Sequence, residues 1–298
     1  MAKRIYTTLI VRHMRSRLQS AMEYLMTYGW AILVIAVVLG VLYSLGIFSP
    51  SNFAPKASPG SCQVFRPNGP GTGYDLNLEG TCSGELPQYV AEFDGKSSLI
   101  RFQGSFPAHI TLVAWIYPIN TSIGTVIAAN GPYYLAFGNS QISKSDCVGG
   151  GVLPSGGAWT WVCGNSDIPL SRWSQIAMTY NGSEETVYLN GKKDGSIGAS
   201  NALNSGGGTL YIGWAAPGIN QYFYGSVSNV QLYNESLSAN GLYTLYLEGI
   251  GGTPIELPTL TSWWPLNGNE NDYSGNNNNG VPTNVLFTGS WQSGYTAP

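Results

Sequence analysis

The feature that most constrains this chain is an uncharged and almost wholly apolar run at residues 29–48, GWAILVIAVVLGVLYSLGIF. At about 1.5 Å per residue, roughly 20 apolar residues cross a hydrocarbon core of about 30 Å. A buried helix of a soluble protein is rarely apolar on every side, and the apolar part of a secretory signal is usually about 7–15 residues. The run therefore predicts a single transmembrane helix.

Charged residues are distributed unevenly around this run. Five of the 13 Lys and Arg lie in the first 17 residues, whereas all 16 acidic residues come later. Basic residues stay on the cytoplasmic side, so we expect a cytoplasmic N-terminus and an extracellular C-terminal domain. No basic face remains for nucleic acid, which excludes that class of partner. The 12% aromatic content also argues against a disordered chain.

A specific motif joins the basic leader to the apolar run. Residues 19–35, QSAMEYLMTYGWAILVI, closely resemble the class III signal peptide of archaeal type IV pilins. In that family a membrane peptidase cuts before the glutamine, so the resemblance implies processing between Leu18 and Gln19. Residues 1–18 would be the leader and residues 19–48 the pilin-like helix. Leu18 stands where the family prefers Gly or Ala, so an uncut membrane anchor is the alternative.

One acidic residue, Glu23, lies at the start of the apolar run. A carboxylate that enters an apolar helix is costly unless it is paired. The new ammonium group of Gln19 on a neighbouring subunit is a suitable partner, which predicts self-assembly through the N-terminal helix. The alternative is a solvated Glu23 at the boundary of the lipid bilayer.

The exported part begins with a proline-rich linker at residues 49–61 and a small unit at residues 62–88. The turn-rich sequence PNGPGTG between two short alternating segments predicts a hairpin closed by a Cys62–Cys82 disulfide. Four cysteines in an exported chain favour two disulfides, which leaves Cys147 and Cys163 as the second pair. Zinc binding is disfavoured because no paired CxxC spacing is present.

Residues 89–247 have the pattern of a mainly β domain. Short strands alternate with Gly, Asn and Ser clusters, and Asn190-Gly191 is a strong signal for a two-residue hairpin. This spacing indicates an antiparallel sandwich or jelly roll. The predicted strands are residues 111–117, 125–129, 133–137, 159–163, 174–180, 186–189, 210–212 and 225–233.

Several motifs in this region occur in a recognisable order. They are FDG at 93–95, TLVAWIYP at 111–118, WSQIAMTYNGSEETVYLNGK at 173–192, LYIG at 210–213 and YFYGSVSNVQLYNESLS at 222–238. Together they resemble a LamG-like, concanavalin A-type jelly roll. The resemblance implies a domain that binds carbohydrate or a protein partner, often beside a calcium ion.

The C-terminal segment, residues 260–298, follows a linker at 248–259. Its sequence WWPLNGNENDYSGN at 263–276 resembles the segment that opens a LamG-like domain, although here it follows the last strand. One explanation is a truncated second domain. The other is a circularly permuted fold that this segment completes, in cis or by strand donation to a neighbour. We favour the second because a missing strand would leave an exposed apolar edge.

Catalysis is not expected. Glucanases of this fold carry three carboxylates in the order E-x-D-x-x-E, but Glu92 and Asp94 are followed by Ser97. Glu184 and Glu185 lie at a predicted turn, where charges are ordinarily solvated. Glycoside hydrolysis needs two carboxylates about 5–10 Å apart, and the sequence nominates no such pair.

Candidate binding residues come from the resemblance and from loop aromatics. The LamG-like resemblance makes Asp272 and Asn276, with Asp94, the candidate calcium ligands, although such residues also make turn hydrogen bonds. The candidate sugar-stacking residues are Trp214, Tyr222 and Trp291, and the N-x-[ST] sequons begin at Asn120, Asn181 and Asn234.

These observations predict an archaeal, pilin-like cell-surface subunit. It would be membrane-anchored or filament-forming, and its LamG-like domain would bind carbohydrate or another cell-surface ligand. The alternative is a single-pass anchored protein that does not assemble, and a glycan-active enzyme comes third.

Overall fold

The computed structural model describes residues 26, 28–41, 64–65, 86–129, 131–203 and 206–298. The chain forms two compact units, residues 1–56 and 57–298. In the first unit residues 28–41 form a helix, α1, whose apolar side chains are exposed. Among the described residues, no helix is both long and apolar enough to cross a membrane. Residues 42–48 of the predicted span lie outside the described residues.

The second unit is an antiparallel β-sandwich with one short helix. Because its strands are short and separated by glycine-rich turns, the chain reverses often and builds two sheets. Its strands are β1 (Val64–Phe65), β2 (Leu86–Pro87), β3 (Val90–Asp94), β4 (Leu99–Phe106), β5 (Ile110–Pro118), β6 (Gly124–Ala129), β7 (Tyr133–Asn139), β8 (Lys144–Val152), β9 (Thr160–Cys163), β10 (Ser174–Tyr180), β11 (Glu184–Leu189), β12 (Lys192–Gly198), β13 (Gly206–Ile212), β14 (Trp214–Ala216), β15 (Ile219–Tyr222), β16 (Tyr224–Tyr233), β17 (Leu260–Trp264), β18 (Val281–Thr283) and β19 (Leu286–Thr288), and its helix is α2 (Ala239–Leu247).

The two large sheets have different strand orders. One sheet runs β12-β11-β10-β5-β16-β3-β19, and β17 also pairs with β16. The other runs β18-β4-β13-β6-β7-β8-β9, with the β14–β15 hairpin attached to β6. The four-residue strand β9 is therefore an edge strand of the second sheet, and β8 lies between β7 and β9.

A continuous apolar core fills the space between the sheets. Alternating residues of β4, β7, β10 and β16 point inward, as a period of two requires for a sandwich. The indole of Trp264 is fully buried against Phe102, with ring centroids 4.0 Å apart. Its Nε1 donates to the backbone oxygen of Asn278 at 2.9 Å.

The predicted two-residue hairpin is confirmed. Asn190 (φ 50°) and Gly191 (φ 72°) join β11 to β12, and both have positive φ. A type I′ turn requires this conformation at both central positions, which is why Asn-Gly is favoured there.

The C-terminal segment enters both sheets of its own chain. Strand β17 pairs with β16, β18 with β4, and β19 with β3. These pairings cover backbone groups on β16 and at the edges formed by β3 and β4. The segment therefore contributes strands to the sandwich in cis.

One feature differs from the expectation of strands alone. Residues 239–247 form helix α2, which begins where Ser238 Oγ accepts a hydrogen bond from Gly241 N at 3.1 Å. Strand β1 pairs in parallel with β2, and the hairpin predicted between Cys62 and Cys82 falls mostly outside the described residues. Cys62 and Cys82 lie outside the described residues.

Candidate functional site

Three aromatic side chains form a cluster on the outer face of the second sheet. The indoles of Trp159 and Trp161 are stacked, with centroids 4.7 Å apart and planes at 9°. Tyr134 packs beside both of them, at 6.2 Å and 5.3 Å. All three are half-buried, whereas Val162, which points to the opposite face, is buried in the core. The cluster therefore presents aromatic surface to solvent.

Gly151, the last of the three consecutive glycines at 149–151 in β8, makes room for this cluster. A Cβ atom on Gly151 would lie 2.7 Å from Cε3 of Trp161 and would also collide with the ring of Tyr134. The two rings therefore lie directly against the backbone of β8. A Cβ atom on Gly150 would meet Glu185 Oε1 at 2.6 Å on the opposite face of the sheet. The absence of side chains at Gly150 and Gly151 thus leaves space for the core on one face of the sheet and for the aromatic rings on the other.

The β14–β15 hairpin lies opposite the aromatic cluster. Ala215, Ala216 and Ile219 contribute apolar surface, and Gln221 contributes an amide. Gln221 Nε2 donates to Ser140 Oγ at 2.8 Å, which ties the hairpin to the turn after β7. The hairpin thus forms a second wall.

Between the two walls is an open cavity of about 500 Å³. This volume is typical of sites for small ligands, which combine mostly apolar walls with a few polar groups. Its floor comes from β6, and its described polar side chains are uncharged amides and hydroxyls, namely Thr125, Tyr134, Ser140, Gln141 and Gln221. We define these residues and the aromatic cluster together as the aromatic cavity.

The predicted disulfide between Cys147 and Cys163 is present. It joins β8 to the edge strand β9, close to the pairing of Gly149 with Cys163. A crosslink that closes a loop of this length stabilises a protein by about 3 kcal/mol. The disulfide therefore holds the strand that carries Trp161.

Beneath the aromatic cavity, between the two sheets, lies a buried carboxyl group. Glu185 is fully buried, its Oε2 accepts a hydrogen bond from Thr160 Oγ1 at 3.1 Å, and its Oε1 has no partner among the described residues. Burial raises the pKa of Glu185 to about 8, although the bond from Thr160 opposes this effect. The group is therefore mainly protonated at neutral pH. The expectation that Glu185 is solvated at a turn is wrong, because it lies inside β11.

The preceding residue, Glu184, is solvated, as the sequence predicts. Its carboxylate is exposed and pairs with Lys193 Nζ at 3.1 Å. Hydrogen bonds from Ser196 and Lys193 and the charge of Lys193 lower the pKa of Glu184. Adjacent residues of one strand thus have opposite environments because successive side chains point to opposite faces.

The predicted sugar-stacking residues have two different environments. Trp214 and Tyr222 are half-buried and stacked on the β14–β15 hairpin, with centroids 5.4 Å apart. They flank the aromatic cavity but do not line it. Trp291 is instead buried, 4% exposed, and its Nε1 donates to Pro87 O at 3.0 Å. The prediction of an exposed Trp291 is wrong, because the ring packs in an apolar cluster with Trp173.

The candidate calcium ligand Asp272 is saturated by hydrogen-bond donors. Its Oδ1 accepts from Trp263 N and Ser274 N, and its Oδ2 from Ser274 Oγ and Asn278 N, all at 2.9 Å. Asn276 directs its Nδ2 toward backbone oxygens of the same region. Backbone N–H groups that point at a carboxylate disfavour a cation there. This region therefore has the contacts of a turn rather than of a calcium site.

Asp94 has a similar environment in a separate turn. Its Oδ1 accepts from the backbone of Lys96, Ser97 and Ser98 at 2.7–2.9 Å, and Ser97 Oγ donates to Oδ2 at 2.6 Å. Slight burial raises the pKa of Asp94, but these hydrogen bonds outweigh it and hold the pKa well below its usual range. No group of three or more His, Cys, Asp or Glu among the described residues could hold a metal ion. Hydrogen-bond donors thus occupy the oxygens of Asp94 and Asp272 in this structure, and calcium binding stays a prediction.

The remaining predicted positions fall into two groups. The sequon residues Asn120, Asn181 and Asn234 are exposed at turns, where a glycan could be accommodated. The processing and membrane positions, Leu18, Gln19 and Glu23, lie outside the described residues. Their roles stay predictions.

The aromatic cluster was not predicted from the sequence, although a signal for it is present. Trp159 and Trp161 are two residues apart in a predicted strand, so they share one face. Val162 occupies the opposite face. An alternation that places two tryptophans on one side of a strand indicates a stacking surface when the other side is apolar.

The fold and the cavity define a lectin-like, two-sheet sandwich. A profile described as the concanavalin A-like lectin/glucanases superfamily matches residues 94–242, half of the chain. The chain belongs to this superfamily. A search of curated proteins found no match.

Two solved structures show the same fold. One is a protein of Bacteroides ovatus with a provisional carbohydrate-binding assignment, with TM-score 0.55 and 18% identity over 68% of this chain. The chain covers 60% of that protein's length. The other is a heptameric SAP-like pentraxin from Limulus polyphemus, with TM-score 0.50 and 16% identity over 67% of this chain and 94% of that one. At these identities the likeness concerns the fold alone.

Proposed function

We propose that this chain is a carbohydrate-binding protein whose glycan site is the aromatic cavity. The observation that carries the proposal is the half-buried stack of Trp159 and Trp161 with Tyr134, opposite the amide of Gln221. Aromatic faces pack against the C–H groups of a sugar ring, while amides and hydroxyls bind its hydroxyl groups. Membership of a lectin superfamily supports the same ligand class.

The proposed activity is binding without catalysis. No carboxylate lines the described part of the aromatic cavity, and glycoside hydrolysis needs two. Glu185 lies on the other face of the sheet, within the core. Its position suits a structural role rather than contact with a sugar.

Replacing Trp161 by alanine tests the site. We expect glycan affinity to fall by tenfold or more, because the variant removes one ring of the stack and exposes the backbone of β8; truncation of a central aromatic residue commonly costs about 2 kcal/mol. The measurement is titration calorimetry of the full-length protein, in a non-ionic detergent without a sugar headgroup, against the best ligand found on a glycan array.

Trp263→Ala is the matched control, because this half-buried tryptophan lies on β17 in the other sheet. Its affinity should equal that of the wild type. Addition of EDTA should leave both affinities unchanged if the turns of Asp94 and Asp272 bind no calcium, and a loss of binding in EDTA would restore the calcium prediction. Equal affinities of Trp161→Ala and the wild type would place the glycan elsewhere.

We propose further that a pilin-like N-terminal helix presents this domain outside the cell. The support is the sequence of residues 19–35 and the apolar, exposed surface of α1. Lipid and other copies of the helix are the proposed partners. N-terminal sequencing of protein isolated from cells should find Gln19 first, whereas an intact Met1 leader would favour an anchor that is never processed.

A further inference from the structure

We infer that the aromatic cavity selects electrically neutral sugars and discriminates against uronic acids, sulfated sugars and free amino sugars. The inference rests on the proposed function and names its ligand class. It follows from which polar groups surround the cavity and which charged groups do not.

The described lining of the cavity contains no Lys, Arg, Asp or Glu. Its polar side chains carry two amides and three hydroxyls, which donate and accept hydrogen bonds but cannot compensate a charge. Gln221 is oriented by the bond from its Nε2 to Ser140, and Thr125 Oγ1 lies 3.5 Å from its Oε1. A charged substituent in this apolar cavity would lose water without gaining a counter-ion, which is costly.

Two charged side chains on β8 and β11, Lys144 and Glu185, have partners outside the described lining of the cavity. The ammonium group of Lys144 pairs with Asp167 at 3.2 Å and donates to the backbone oxygens of Gly164 and Asn165. Glu185, between the two sheets beneath β8, contacts Thr160 within the core. Neither group offers a counter-charge to a ligand in the cavity.

An organic cation is the strongest competing ligand, because aromatic rings attract cations. Trp159 and Trp161 are stacked at 4.7 Å, so each ring keeps only its outer face for a ligand. No carboxylate in the described lining compensates the charge of an ammonium group. A neutral sugar ring needs no such counter-charge, so the arrangement suits it better than a cation.

The test is an array of matched glycans with the full-length protein in sugar-free detergent at about pH 6, where Glu185 is protonated. Each neutral oligosaccharide stands beside the same backbone with a uronic acid, a sulfate or a free amine. We expect at least one neutral glycan to bind ten times more tightly than each of its charged counterparts. Trp161→Ala should abolish this binding.

Gln221→Glu is the matched specificity variant, since it changes charge with little change in shape. It should weaken neutral binding and improve the relative binding of the amine-bearing counterpart. If charged glycans bind as tightly as neutral ones, the neutral-ligand inference is overturned. If their binding is also lost in Trp161→Ala, the proposed site stays in place. Binding that is absent, or that is unaffected by Trp161→Ala, would overturn both.

Discussion

The variant Trp264→Ala is expected to lower the melting temperature of the sandwich by about 10 °C. Trp264 is fully buried, packs on Phe102 at 4.0 Å and donates from Nε1 to Asn278. Truncation of a buried tryptophan costs about 3–5 kcal/mol, and each kcal/mol shifts the melting temperature of a domain of this size by about 2–4 °C. The side chain belongs to β17, so the variant measures how strongly the C-terminal segment supports the core.

Trp263→Ala is again the internal comparison. Trp263 lies one residue earlier, points to the opposite face and is half-buried. Its loss removes the bond from Nε1 to Asn229 Oδ1, but that oxygen keeps the donor Gln231 Nε2 at 3.0 Å. We expect a cost of about 1 kcal/mol. Calorimetry that finds equal melting temperatures for Trp264→Ala and the wild type would show that the segment is dispensable.

Raising the pH from about 5 to about 8 should lower the free energy of unfolding by several kcal/mol through Glu185. The group's pKa is about 8 in the folded chain against an ordinary value of 4.5. Its contribution is therefore full below about pH 4.5 and is lost as the pH rises through the folded value. Each pH unit in that window costs about 1.4 kcal/mol.

The groups that face Glu185 explain the direction of this shift. Thr160 offers one hydroxyl, Gly150 and Met178 offer no charge, and the phenol of Tyr180 is neutral. Tyr134, which is near Glu185 but on the outer face of the sheet, is neutral as well. Burial raises the pKa of both tyrosines, and the charge of Glu185 raises it further. Ionised Glu185 would therefore have no cation beside it.

Glu185→Gln isolates this contribution, because the amide keeps the shape and cannot ionise. Urea unfolding across the pH range should show a flatter profile and a higher stability at about pH 8 than the wild type. Glu184→Gln is the neighbouring control. Its profile between about pH 5 and 8 should run parallel to the wild type, because the pKa of Glu184 is lowered and the group stays ionised in that window. A Glu185→Gln profile as steep as the wild type would mean that other groups cause the pH dependence.

Much of the sandwich could be predicted from local pattern. Strands β5, β6, β7, β10 and β16 fall where β-branched and aromatic residues cluster between turns, and Asn190-Gly191 marked a hairpin. The Cys147–Cys163 disulfide could be predicted because an exported chain with four cysteines offered few pairings. These features depend on neighbouring residues or on simple counting.

The burial of particular side chains was not predictable in this way. Glu185 lies next to Glu184, yet it is buried because Gly150, on a strand of the other sheet, leaves space for its carboxyl group. Trp291 looked like a loop residue, but it packs against Trp173, which is distant in sequence. Strand β8 is poor in branched residues and was missed, since its glycines have meaning only beside the rings that they accommodate.

The glycines of β8 also determine how the specificity of this protein could be engineered. Three consecutive glycines would ordinarily suggest a flexible hinge. Here they lie within strand β8, which pairs with β7 on one side and with β9 on the other. Even a methyl group at Gly151 would displace the rings above it, and one at Gly150 would disturb the core below. Directed evolution toward new ligands should therefore randomise the β14–β15 hairpin, since the opposite wall, at β8, has no space for larger side chains.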